Sequence, residues 1–190
     1  MTDKELELRL ATAEDAGPVR DLVRSAMRHY REESGIVNDT LESLSESVES
    51  VRHRIEKNKC LCLFDGDRPL GTITMSLCTT PMKYSFSKKS SNFLAHYTSC
   101  GYISRFAVAD EVRKTGLGSR LMDEVLTFPE AENVVILHTA VSNKSMCEFY
   151  ASKGFVLVDS ENSRGYERGL FALIKSHREQ QGSSYLCILQ

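Results

Sequence analysis

Leu6, Leu8 and Leu10 alternate with charged residues near the head of the chain, the period-two pattern of a strand with one buried face. At Thr12 the period changes. Ala13-Glu14-Asp15 reads as first-turn acids behind a Thr12 cap. Ala16, Val19, Leu22, Val23, Ala26, Met27 and Tyr30 then recur at helical spacing, which predicts a helix over residues 14–30. Pro18 is tolerated there, because the N–H it lacks would have no partner in the first turns. Residues 32–38, centred on Gly35, read as a loop. Residues 41–57 read as a second helix with a narrow stripe of Leu41, Leu44, Val48, Val51 and Ile55. Two strands follow, at 59–64 and 69–77, and Asp65-Gly66-Asp67 between them marks a hairpin.

The pattern breaks over residues 78–100, rich in Ser, Thr and Lys with Tyr84, Phe86, Phe93 and Tyr97 interspersed. So long a connection is either a loosely ordered surface excursion or a flap over a substrate. Order resumes with a strand at 102–108, a helix at 116–128 and a buried, β-branched strand at 134–140. A helix at 143–153 ends on Gly154, which supplies the left-handed cap conformation. A short strand at 155–158, a helix around 166–177 and an alternating run at 185–189, placed to close the sheet, complete the prediction. The fold class is α/β in the broad α+β sense. It is a mixed, mostly antiparallel sheet of six or seven strands flanked by helices, in one domain over residues 1–190 with no internal repeat.

Composition narrows the functions this fold can serve. The chain has 190 residues, 41% hydrophobic and 26% charged, enough for its own core and ordinary for a soluble protein. A net charge of −2 argues against a broad nucleic-acid surface, where phosphate neutralisation dominates binding. No apolar segment has membrane-spanning length, and the opening MTDKELELRL lacks the apolar stretch of a secretory signal, so a cytoplasmic location is expected. Cysteines at 60, 62, 78, 100, 147 and 187 include no CxxC pair and no histidine at ligand spacing. They are expected to be reduced thiols, with no metal site.

The chemistry concentrates in YISRFAVADEVRKTGLGSRLMDEVL. An apolar strand ends at Val108, and Arg113-Lys114-Thr115-Gly116-Leu117-Gly118-Ser119 opens an amphipathic helix. First-turn N–H groups and the helix dipole favour an anion there. Gly116 and Gly118 let phosphate oxygens approach, and Arg113 and Lys114 add positive charge. Tight helix packing is the alternative use of those glycines. The string is neither a Walker loop, which needs Gly-Lys-Ser/Thr, nor the Rossmann fingerprint, which needs a third glycine. One strand later comes Asn143-x-x-Met146-x-x-Phe149-Tyr150-x-x-x-Gly154-Phe155.

In these two motifs, their order and the strand between them, residues 102–155 closely resemble the GNAT superfamily of N-acetyltransferases. The first resembles its acetyl-CoA signature, (Q/R)-x-x-G-x-(G/A), and the second its Asn…(F/L)-Tyr-x-x-x-Gly-Phe helix. The resemblance implies that strands four and five splay apart around the pantetheine arm of acetyl-CoA. It also implies that backbone groups of Phe106, Ala107 and Val108 bond the arm, and that residues 113–119 hold the pyrophosphate. A strand N–H would polarise the thioester carbonyl. Tyr150 would protonate the departing thiolate as general acid, and Asn143 would contact the cofactor or a bound water. The acceptor would be a primary amine of a small molecule, amino acid or peptide, attacking directly; homodimerisation stays open.

At one point the chain departs from the family. Where many members carry a base glutamate near the start of strand four, Tyr102 stands here. Glu33 and His96 are the candidate bases, unless the acceptor has a pKa low enough to need none. Arg105, on the same strand, either meets an internal acid or binds a substrate carboxylate. Two further readings stay open: a non-catalytic acyl-CoA sensor, and an acyltransferase for longer acyl-CoA.

Overall fold

Both faces of the second strand are covered, which is why its sequence does not alternate: Cys60, Leu61, Cys62, Leu63 and Phe64 are all buried. The structure, a computed structural model, describes residues 6–38 and 41–175. Along the chain run β1 (Glu7–Leu10), α1 (Ala16–Glu33), α2 (Val48–Lys57), β2 (Lys59–Asp65), β3 (Arg68–Cys78) and α3 (Lys88–Leu94). Then come β4 (Cys100–Val108), α4 (Leu117–Val125), β5 (Val134–Ala140), α5 (Lys144–Ser152), β6 (Val156–Glu161) and β7 (Arg168–Ile174). The seven strands form one sheet in the order β1-β2-β3-β4-β5-β7-β6. Every pairing is antiparallel except β4 with β5. No helix among the described residues is long and apolar enough to cross a membrane.

One face carries α4 and α5, whose Leu121, Met122, Val125 and Tyr150 pack on Leu61, Leu63, Ile73, Ile103 and Leu137. Opposite lie α1 and α2 over Cys60, Cys62, Phe64 and Ala107. Beside them the connection between β3 and β4 covers Cys78, Cys100, Ile136 and Leu170. The five cysteines among the described residues are free thiols, and four of them are buried.

The parallel pair positions the site. β4 and β5 are in register only at Gly101–Ile103 against Val135–Leu137, although both strands run on. Two residues, Arg105 and Phe106, stand opposite the single Ile73 of β3, because Thr72 faces Ala107 and Thr74 faces Ser104. Arg105 takes the left-handed conformation at φ 51°. Such a bulge bends its strand and raises the local twist. Here it turns β4 away from β5, and the sheet opens into a V.

Two expectations are corrected, and of the two alternatives for residues 78–100 the loosely ordered excursion does not hold. Residues 41–57 are not one helix: a 3₁₀ turn, Glu42–Leu44, precedes α2, which starts afresh because the Ser47 side chain accepts from the Ser50 N–H at 3.1 Å. Residues 166–177 contain a strand, β7, rather than a helix, because Leu170, Phe171 and Ala172 are buried between β5 and β6. Residues 78–100 are ordered. They hold a 3₁₀ turn, Pro81–Tyr84, and α3, capped reciprocally by Ser87 and Ser90. The Ser87 hydroxyl donates to Asp159 of β6 at 2.8 Å, and Leu94 is fully buried. The alternating run at 185–189 lies outside the described residues.

Candidate active site

A cleft of about 870 Å³ runs through the V from the start of α4 to the end of α1 and the start of β7. At the α4 end the chain after β4 makes a 3₁₀ turn, Asp110–Val112, then passes through Lys114 at φ 62° and Gly116 at φ 92°. Gly116 is the N-cap and has no side chain to satisfy the first-turn N–H groups; the first helical bond runs from Arg120 N–H to Gly116 C=O at 3.0 Å. The amides of Leu117, Gly118 and Ser119 are therefore available for an anion. Gly116 is needed for its conformation and faces open space. Gly118 is needed for packing: a Cβ there would stand 3.2 Å from Phe106 and 3.4 Å from Val108.

Arg113, Lys114, Gly116, Gly118 and Ser119 line the cleft, whereas Thr115 and Leu117 do not. The Thr115 hydroxyl donates to Val112 C=O at 2.7 Å, and Leu117 packs on the core. Arg113 pairs with Asp110 at 3.0 Å. Lys153, from the end of α5, donates to the Ser119 hydroxyl at 2.6 Å and pairs with Asp123. This third cation at the helix start carries no local signal, lying 34 residues from Ser119 in sequence. Uncapped amides, an open glycine and nearby cations suit a pyrophosphate-bearing ligand.

Phe106, Ala107 and Val108 of β4 line the middle of the cleft, facing Phe149 and Tyr150 of α5. Phe106 stacks on Phe149 with ring centres 5.5 Å apart, and Tyr150 meets Phe149 and Phe155 edge-on. Tyr150 is 5% exposed. Burial, reinforced by the neighbouring Tyr30, raises its pKa, so the phenol holds its proton throughout the neutral range. Asn143 is not brought to the cleft. It caps α5, accepting from Met146 N–H at 3.1 Å, and donates to the Ser34 hydroxyl at 3.1 Å. The end of α1 is tied to the same region, because the Tyr30 hydroxyl accepts from Ala140 N–H at 2.6 Å.

The far mouth is aromatic and basic. Tyr84 and Phe86, from the connection between β3 and β4, form part of its wall together with Lys83. Tyr84 stacks on Tyr102 at 4.3 Å, and Phe86 lies 5.1 Å from His138. The Tyr102 hydroxyl is hydrogen bonded to His138 Nδ1 at 3.2 Å. Of the two candidate bases, Glu33 lines the cleft and pairs with His29 at 3.0 Å, whereas His96 is not part of the lining. Arg105 meets an acid: its Nε donates to Glu46 at 3.1 Å, and Glu46 also pairs with Arg54. Burial opposes ionisation of Glu46, but Arg54 and Arg105 together hold its carboxyl below the usual range.

His138 has a consequence for stability. Burial and the charge of Arg168 push its pKa down to about 3. The unfolded chain, with an ordinary imidazole, therefore binds a proton that the folded state refuses. The stability His138 contributes is complete above the unfolded value and is lost as pH falls towards 3. Chemical denaturation at pH 7 and pH 5 is expected to show the native protein losing about 1–2 kcal/mol more than His138→Gln. Parallel losses would mean that the imidazole titrates normally.

The family described as acetyltransferase (GNAT) matches the chain over residues 20–155. Among solved structures, PaiA N-acetyltransferase from Thermoplasma acidophilum in complex with coenzyme A superposes with a TM-score of 0.67 at 15% identity, over 90% of this chain and 99% of that one. An acetyltransferase of the GNAT family from Streptococcus agalactiae gives 0.73 at 13% identity, over 90% and 96%. Ard1 from Thermoplasma volcanium gives 0.60 at 18% identity, over 90% and 99%. Comparison with curated proteins gives no match.

Proposed function

Given that this chain belongs to the acetyltransferase (GNAT) family, we propose that it is an N-acetyltransferase, moving the acetyl group of acetyl-CoA onto a primary amine of a small molecule, amino acid or peptide. The observation that carries this reading is the V between β4 and β5. It joins an uncapped, cation-flanked helix start at one end to a buried, protonated Tyr150 in the middle. Residues 113–119 hold the pyrophosphate through the amides of 117–119, while Arg113, Lys114 and Lys153 offset its charge. Phe106, Ala107 and Val108 lie beyond the stretch where β4 pairs with β5 and offer backbone groups to the pantetheine arm, and one N–H among them polarises the thioester carbonyl. As the amine nitrogen bonds to the acetyl carbon and the C–S bond breaks, Tyr150 gives its phenolic proton to the sulfur. Asn143 fixes the start of α5 and so aims Tyr150, rather than touching the ligand. The unpaired thiols accord with work in the reducing cytoplasm.

Mixing the protein with acetyl-CoA and a panel of primary amines, then following free thiol, tests the proposal. Amine-dependent thiol release is expected. Tight coenzyme A binding without turnover on any amine would instead make the chain an acyl-CoA-binding module.

A further inference from the structure

Resting on the transferase reading above, we infer that the acceptor is an amine bearing a carboxylate close to its nitrogen, and that Arg105 grips that carboxylate. The far mouth of the cleft is lined by Lys83, Arg105, Arg164 and Arg168. At its centre is the Tyr102 hydroxyl, which lies in the field of Arg105, Arg168, Arg164 and Glu42. The acids lining the cleft are engaged: Glu161 pairs with Arg168 at 2.6 Å, Glu42 with Arg164 at 3.5 Å and Glu33 with His29 at 3.0 Å. The apex itself holds the uncharged Tyr102–His138 pair.

Arg105 is built for a ligand. Its Nε is spent on Glu46, and no acceptor among the described residues takes its two terminal nitrogens. It sits at φ 51° in the bulge, a strained conformation for a non-glycine residue that persists at sites that need it. With its Nε tied to the largely buried Glu46 carboxylate, the guanidinium keeps two uncommitted nitrogens on a side chain that lines the cleft. A second signal comes from Arg168: its guanidinium lies 5.0 Å over Phe86, and its buried Nε has no partner.

Such surroundings select among amines. Glu42 and Glu161 offset Arg164 and Arg168, so the Lys83 ammonium and the uncommitted edge of Arg105 are what an amine meets, and both favour its neutral form over an ammonium. A permanent second cation, as on a polyamine, is repelled. A carboxylate a few bonds from the nitrogen is attracted and oriented, which fixes the neutral amine at the apex.

The test compares kcat/KM by thiol release from acetyl-CoA for the common α-amino acids, their carboxamides and their decarboxylated amines, with spermine and an amidated dipeptide beginning in aspartate alongside. The free acids are expected to exceed the matched amides and amines by about tenfold or more, the value of one hydrogen-bonded charge. The aspartate-first dipeptide tells a carboxylate on a peptide's first side chain from that of a free amino acid. Arg105→Ala should bring the acid-to-amide ratio close to one, and a melting curve shows whether the variant folds. If it does not fold, Arg105→Lys, which retains charge without the fork, should lower the same ratio about threefold. Amides, plain amines or spermine used as well as the acids would overturn the inference while leaving the transferase in place, as would an acid-to-amide ratio unmoved in the variant. Turnover of none of these with acetyl-CoA bound would overturn the inference, and failure to bind acetyl-CoA would overturn the transferase reading itself.

Discussion

Tyr150→Phe is expected to lower kcat for acetyl transfer by about 10²–10⁴, the usual contribution of a positioned general acid, with the KM for acetyl-CoA nearly unchanged. The substitution isolates one atom. The ring of Tyr150 packs on Phe149, Phe155 and Phe171, contacts that phenylalanine reproduces. No described protein group is hydrogen bonded to the hydroxyl, so its removal leaves no orphaned partner in the core. Burial holds the phenol protonated, so the proton is in place whenever a thiolate forms. Steady-state thiol release by both proteins supplies the comparison. Near-normal kcat in Tyr150→Phe would reduce the residue to an aromatic packing unit between α5 and β7.

The second large effect is expected at Gly118. Gly118→Asp should weaken coenzyme A binding by about a hundredfold or more, because it sets a carboxylate among the amides and cations to which the proposal assigns the pyrophosphate. Crowding contributes as well, since any Cβ at this position meets Phe106 and Val108. Gly118→Ala carries the crowding without the charge and should cost less than about tenfold. Both variants should melt about 2–8 °C below the native protein, since each overpacks the same contact. A first-turn acid favours a helix, so loss of α4 would not be the cause of weakened binding.

What was legible in the sequence is what local rules govern. The hairpin at Asp65-Gly66-Asp67, the glycine opening of α4 and the Gly154 stop each follow from the backbone demands of a few adjacent residues, and the structure has all three. Residues 166–177 were not legible, because Leu170-Phe171-Ala172-Leu173 is apolar throughout and has no period until β5 and β6 flank it. The α3 helix was hidden for the opposite reason. Its sequence is polar, its cap uses two serines rather than a serine and a glutamate, and its anchor, Leu94, is one residue.

Within the site, the loop at 113–119 and Tyr150 could be picked out because their spacing is local. Lys153, the Tyr102–His138 pair and the Glu46–Arg105 pair join residues 30 or more positions apart, and only the sheet order brings them together. The sequence offered two alternatives for Arg105, an acid partner or a ligand, and the fold shows the acid at one edge of the guanidinium. Asn143 is the instructive divergence. The motif that pointed to the cofactor describes a residue whose oxygen accepts from the helix it starts, so a motif position can serve a site by holding an element still.

In the proposed complex the loop opening α4 grips the pyrophosphate of coenzyme A. Calorimetric titration of coenzyme A into the native protein and into Gly118→Asp tests it most directly. One saturable site is expected on the native protein and its loss in Gly118→Asp, with Gly118→Ala close to native. Equal affinity in native and Gly118→Asp proteins would contradict it.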